Sequence, residues 1–187
     1  AGESPAFSHS QALSGESIFH KTELLTAKQK QDFLAVLAQL KNTPLDFSYV
    51  YLIIMDPETD MDAVGSALGE YAFLKKAIED PRAIVYPVFQ GKVKEKKEIA
   101  AFLKEAGISQ DAMVYLQDIA EAVSGLPLEK LRIILTDHRN NTVTDHKGRE
   151  IKKLPLWKQI DHHPETGKTE TGSCDIIEMV GASATLV

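Results

Sequence analysis

The run Tyr49-Val50-Tyr51-Leu52-Ile53-Ile54-Met55 is apolar, β-branched or aromatic at every position, and it stops abruptly at acids. A segment without alternating polar positions has no face for water, so it reads as a strand covered on both sides. Asp56, Glu58, Asp60 and Asp62 fall within the next seven residues. Beyond them Ala63, Val64, Ala67, Leu68, Tyr71, Ala72 and Leu74 recur at helical spacing, to about Ile78. The order strand, acidic loop, helix confines the chain to folds in which helices cover a buried sheet. Four acids at the end of such a strand repel one another unless a cation lies among them, so the loop is a candidate metal site.

The rest of the chain repeats this pattern. Thr26 caps an amphipathic helix carrying Phe33, Leu34, Leu37 and Leu40, and Asn42-Thr43-Pro44 breaks it. Ala83 to Phe89 is a second strand, and Pro87 places it at a sheet edge or marks its end. The lysine-rich stretch from Lys92 to Lys97 opens a helix to about Ala106, with its basic side in water. Met113 to Leu116 reads as a third, short strand, followed by a helical piece near Ile119 to Val123. Leu131 to Leu135 is a fourth strand and runs into Thr136-Asp137-His138-Arg139. Thr142 to Lys153 is a polar hairpin or loop around Lys147-Gly148. Leu154 to Ile160 is a fifth extended run that ends in Asp161-His162-His163-Pro164, and Asp175 to Val180 is a sixth. Alternating strands and helices predict an α/β fold with a mostly parallel sheet flanked by helices on both faces. Residues 1–19, small and polar, read as a flexible lead-in and residues 20–187 as one domain.

In a parallel sheet the strand ends share one edge, so Asp56, Asp60, Asp62, Asp137, His162 and His163 are expected to converge there. Carboxylates with imidazoles suit Mn²⁺, Fe²⁺, Co²⁺ or Zn²⁺, whereas an oxygen-dominated set accepts Mg²⁺. These candidates are too many for one ion. Two ions roughly 3.5–4 Å apart, bridged by a carboxylate and a hydroxide nucleophile, would use them all. His138 is left as an outer group, and neither spacing nor strand position demands His146 as a ligand.

A net charge of −6 and a pI near 5.5 argue against an extended nucleic-acid or anionic-membrane surface. The single cysteine, Cys174, supports neither a disulfide framework nor a Cys-rich zinc site. No apolar run approaches the roughly 20 residues of a membrane span. The first residues lack a basic start followed by an apolar core, so no signal peptide and a cytoplasmic location are expected.

TDMDAVGSA, LTDH, IDHHP and GASAT, in this order and at these separations, resemble the motifs of the DHH phosphoesterase superfamily. The wording DMDAVGSAL and the ending EMVGASATLV most resemble its exopolyphosphatase and prune branch, close to the manganese-dependent family II inorganic pyrophosphatases. The resemblance implies a Rossmann-like three-layer sandwich. It implies that Asp60 and Asp62 divide their carboxylates between two metals, that Asp137 bridges them and that His162 is a metal ligand. It gives His163 a contact with substrate phosphate and Asp161 the orientation of both histidines, so that His163, Asp137 and Asp161 form the catalytic group. Gly181 and Ser183 match the loop that approaches substrate, with Arg139 as a local basic candidate. Asp56 stands where many members carry a histidine ligand; the exopolyphosphatase branch also lacks it, and the change tilts metal choice toward Mg²⁺. Family members continue with a further metal-binding aspartate and a basic substrate-binding domain, so the expectation is a catalytic domain truncated at its carboxyl end.

The implied activity is hydrolysis of phosphoanhydride bonds in polyphosphate or pyrophosphate, with two Mn²⁺ or Mg²⁺ ions. Two alternatives stand beside it: a phosphodiesterase acting on short oligonucleotides or cyclic nucleotides, and a catalytically incomplete metal-binding domain. Expected partners are the substrate, a second domain of the same polypeptide and a second copy in a homodimer.

Overall fold

The computed structural model describes residues 25–42, 47–90, 96–138, 142–144, 150–163 and 176–177. Helix α1 (Ala27–Asn42) starts where the sequence predicts. Thr26 Oγ1 accepts from the Gln29 backbone N–H at 3.2 Å, and Gln29 Oε1 accepts from the Thr26 N–H at 2.7 Å. This reciprocal capping box satisfies two donors that the helix itself leaves unpaired.

The continuous apolar run becomes β1 (Val50–Met55), which lies between two parallel neighbours. On one side it pairs with β2 (Ile84–Val88), from Val50 with Ile84 to Ile54 with Val88. On the other it pairs with β3 (Leu131–Thr136), from Val50 with Leu131 to Met55 with Thr136. Helix α2 (Met61–Ala77) connects β1 to β2, and α3 (Lys97–Glu105) and α4 (Leu116–Ser124) lie between β2 and β3. A small antiparallel pair, β4 (Thr142–Thr144) and β5 (Glu150–Lys153), lies against α4. The chain then returns as β6 (Leu156–Asp161) and β7 (Ile176–Ile177), and the sheet order is β2-β1-β3-β6-β7.

Register shows that the sheet is covered on both faces. Leu52 pairs with Tyr86, and Met55 pairs with Thr136. Positions three apart on a strand point to opposite faces. Phe33 of α1 stacks on Tyr86, with ring centroids 4.4 Å apart, while the Thr136 hydroxyl lies 3.5 Å from the Ala63 carbonyl of α2. Helices α1 and α2 therefore occupy opposite layers. The core between them includes Phe33, Leu37, Leu52, Ile53, Ile54, Ile99, Leu103, Ile133 and Ile134, all buried. Each such side chain contributes roughly 1.5–3 kcal/mol by leaving water.

The edge position of the Pro87 strand, the hairpin strands and the short strand near Ile176 agree with the sequence reading. The strand expected at Met113 to Leu116 does not form. Gln110–Ala112 is a 3-10 turn, a single bridge joins Phe89 to Tyr115, and α4 begins at Leu116. Met113, Val114 and Leu116 are apolar because they are buried, and a run this short does not distinguish burial from ladder pairing. One irregularity has no sequence signature: Ile133 pairs with Leu156 but Ile134 with Lys158, so Trp157 is skipped. Among the described residues no helix is long and apolar enough to cross a membrane.

Candidate metal centre

Strands β1, β3 and β6 are neighbours, and their carboxyl ends open on one edge. The connection after β1 leads toward β2 while β3 lies on β1's other side, which makes this a topological switch point where α/β sheets hold ligands.

The loop after β1 is tightly built. Asp56 Oδ1 accepts from the Glu58 N–H at 2.7 Å, and the Asp56 carbonyl accepts from the Thr59 N–H and hydroxyl, both at 2.9 Å. Thr59 is fully buried with φ of 48°. A β-branched residue in that region stores strain of about 1–3 kcal/mol, which the surrounding bonds must hold. The turn delivers Asp60 to the start of α2, where its Oδ1 accepts from the N–H groups of Asp62 and Ala63, each at 2.9 Å. Asp62 then lies in the first helical turn, where the helix dipole favours its charge. Ser66 Oγ donates to Asp62 Oδ1 at 3.3 Å. Lys96 Nζ donates to the carbonyls of Glu58 and Thr59 and so fastens the loop from outside.

After β3, Asp137 adopts φ of 65°, a left-handed conformation that Asp tolerates better than most residues. Its N–H donates to the Ile160 carbonyl at 2.8 Å, joining β3 to β6 beyond the last ladder pair. His138 is buried, with Nδ1 3.0 Å from the Thr136 carbonyl and Nε2 3.0 Å from the Gln90 amide nitrogen. A carbonyl only accepts, so Nδ1 donates and Nε2 accepts from Gln90.

At the end of β6, Asp161 is fully buried. Its Oδ1 accepts from His163 Nδ1 at 2.7 Å and from the His163 N–H at 3.2 Å. His162 Nε2 lies 3.2 Å from Asp137 Oδ1 and 3.3 Å from Asp62 Oδ2. His163 Nδ1 lies 3.7 Å from Asp137 Oδ1. Asp137, His162 and His163 each present one ligand atom, all within 4.8 Å of one another. The hydrogen bond to Asp161 holds the His163 imidazole above its ordinary pKa; burial opposes this, and the charges of Asp161, Asp137 and Asp56 add to it.

Five of the residues singled out in the sequence, Asp62, Asp137, Asp161, His162 and His163, meet at this edge. Asp56 bears on His163 through its charge, and Asp60 commits Oδ1 to capping α2. Arg139, Gly181, Ser183, His146, Cys174 and the lead-in of residues 1–19 lie outside the described residues. Ser66 and Gln90 carry no reading from the sequence, and Lys96, expected to lie in water with its basic stretch, bonds the acidic loop instead. Ser66 was legible, since it follows Asp62 by one helical turn; the other two depend on tertiary contacts. The donor set, an imidazole nitrogen facing two carboxylates, fits a divalent transition metal and admits harder Mg²⁺ through its oxygens.

Residues 51–186 match the DHH family, N-terminal domain. Among solved structures the chain is similar to a Methanococcus jannaschii protein assigned to the family II inorganic pyrophosphatases, with a TM-score of 0.43 and 19% identity. That alignment covers 74% of this chain and 36% of the other, so the chain spans little more than a third of that protein's length. No curated protein matches the sequence.

Proposed function

The chain belongs to the DHH family, and on that footing we propose that it is a metal-dependent phosphohydrolase acting on the phosphoanhydride bonds of polyphosphate or pyrophosphate. One observation carries the reading: His162 Nε2 faces Asp62 Oδ2 at 3.3 Å and Asp137 Oδ1 at 3.2 Å, three donors supplied by the first turn of α2 and the positions just beyond β3 and β6. We assign Asp56, Asp60, Asp62, Asp137 and His162 to hold divalent ions, Mn²⁺ or Mg²⁺. Such an ion, when bound, polarises a phosphoryl oxygen and activates water.

The chain's own groups do the rest. His163 is the exposed member of the pair and directs its ring toward a substrate phosphate oxygen. Asp161, buried beneath it, fixes the ring through Nδ1 and favours its protonated form. The buried carboxylate of Asp137 lies between both histidines and holds their spacing. Asp56 in place of a histidine adds an oxygen donor, which favours Mg²⁺ and the polyphosphate arm of this reading.

Phosphate release from pyrophosphate and from medium-chain polyphosphate, with Mn²⁺, with Mg²⁺ and with chelator, tests the assignment. Release should require the ion and fall by roughly 10²-fold or more in Asp137→Ala, the size of losing one group that stabilises the transition state. Cleavage of a dinucleotide with neither phosphoanhydride touched would move the protein to the phosphodiesterases.

A further inference from the structure

The proposed chemistry makes no use of the ion pair between Glu70 of α2 and Lys158 of β6. Lys158 Nζ lies 2.9 and 3.0 Å from the two Glu70 carboxylate oxygens, and the side chains are only 9% and 2% exposed. Desolvating two charges offsets most of their attraction, and an apolar pair of similar volume is often as stable, so stability alone does not account for the pair.

Its place in the fold does. Glu70 follows Asp62 by eight residues, and Lys158 precedes His162 by four. At about 1.5 Å per helical residue and about 3.3 Å per strand residue, both arms measure roughly 12–13 Å. Helix α2 packs mainly on β1, β2 and β3, leaving β6 one strand beyond it. Among the described residues, side-chain contacts bridge that gap at two levels: Asp62 with His162 at the edge of the sheet, and, two helical turns below, Glu70 with Lys158, whose Nζ also lies 5.8 Å from the Phe73 ring centroid. The skipped residue Trp157 makes the second contact available. Without it Lys158 would pair with Leu135 and face the α1 layer; with it Lys158 pairs with Ile134 and faces α2.

We propose that Glu70 and Lys158 are positioning residues that set the reach between Asp62 and His162, and with it the affinity of the site for a divalent ion. The inference rests on the metal-centre reading above. It is tested by Mn²⁺ affinity, from the electron paramagnetic resonance signal of the free ion, and by thermal melting of the 187-residue chain. The apolar replacement Glu70→Leu/Lys158→Met should melt near the parent and bind Mn²⁺ more weakly, by a factor that stays within the roughly 10–100-fold of losing a group bonded directly to a ligand. Glu70→Asp keeps the charges but shortens the bridge between the two arms by one methylene, and should weaken binding by a smaller factor. If the double variant fails to fold, Glu70→Asp decides alone. Parent-like Mn²⁺ affinity in the folded variants, with affinity still lost in Asp62→Ala, would overturn the positioning role and leave the metal centre standing. A parent that binds no Mn²⁺, or an Asp62→Ala variant that binds it as the parent does, would remove both.

Discussion

Asp137 Oδ1 lies 3.2 Å from His162 Nε2, although one residue follows β3 and the other follows β6. The contact exists because those strands are neighbours and because Asp137 turns left-handed to donate its N–H to Ile160. Asp137→Asn keeps the shape and removes the charge. It should weaken Mn²⁺ binding by more than the roughly 10–100-fold typical of losing an outer partner, read by calorimetric titration. Unchanged affinity would mean that Asp137 is no ligand.

Thr26→Ala removes the hydroxyl that accepts from the Gln29 N–H and should cost about 1 kcal/mol, or roughly 2–4 °C in melting temperature. Gln29→Ala removes the reciprocal half of the box and should cost no more. Urea unfolding of the two single variants and the double variant checks this. The two losses should fail to add, because one box holds both bonds.

Phe33→Ala leaves a void against Tyr86, whose hydroxyl donates to the Ala112 carbonyl at 2.7 Å and so cannot turn to fill it. The expected loss is about 3–5 kcal/mol in chemical denaturation. Phe33→Leu, which keeps most of the volume, should lose less. A loss below about 1 kcal/mol for Phe33→Ala would place the ring outside the core.

Asp80 responds to pH. Hydrogen bonds from the Arg82 side chain, and then from its backbone N–H, lower the carboxyl pKa from an ordinary 3.8 to about 2. A value depressed in the folded state stabilises the fold above pH 3.8, and that contribution is lost as pH falls through about 2. Asp80→Asn should therefore flatten the stability curve between those values. In Arg82→Ala the Asp80 carboxyl should titrate above 2 but still below 3.8 by NMR, because the backbone N–H of residue 82 remains, and a midpoint still near 2 would refute the side-chain pairing.

The sequence carries the parts of the fold that have a local cause. A run without polar positions had to be an inner strand, and β1 is one, paired on both sides. Acids and histidines at strand ends could be listed, because every strand end of a parallel sheet with such residues opens on the same edge. Which ends adjoin was not written locally: the meeting of Asp137 with His162 needs β6 beside β3, a fact of strand order. Burial without pairing misled at Met113 to Leu116, where the apolar side chains serve a connection rather than a ladder. Glu70 and Lys158 carry no local mark that would pair them, one on a helix and one in a strand, and only the skipped Trp157 brings them face to face.

Thr136 and Ala63, which approach each other beside the proposed metal centre, are 73 residues apart in the chain. Contacts of that sequence separation require closure of a long loop, which makes them slow to form. The donors from α2, β3 and β6 are therefore scattered until the sheet is assembled, and a divalent ion has nothing to grip in the chain before then. Such an ion should leave the refolding rate almost unchanged and slow unfolding instead. Metal supply would then govern how long a folded molecule lasts, and have little influence on how quickly one is made.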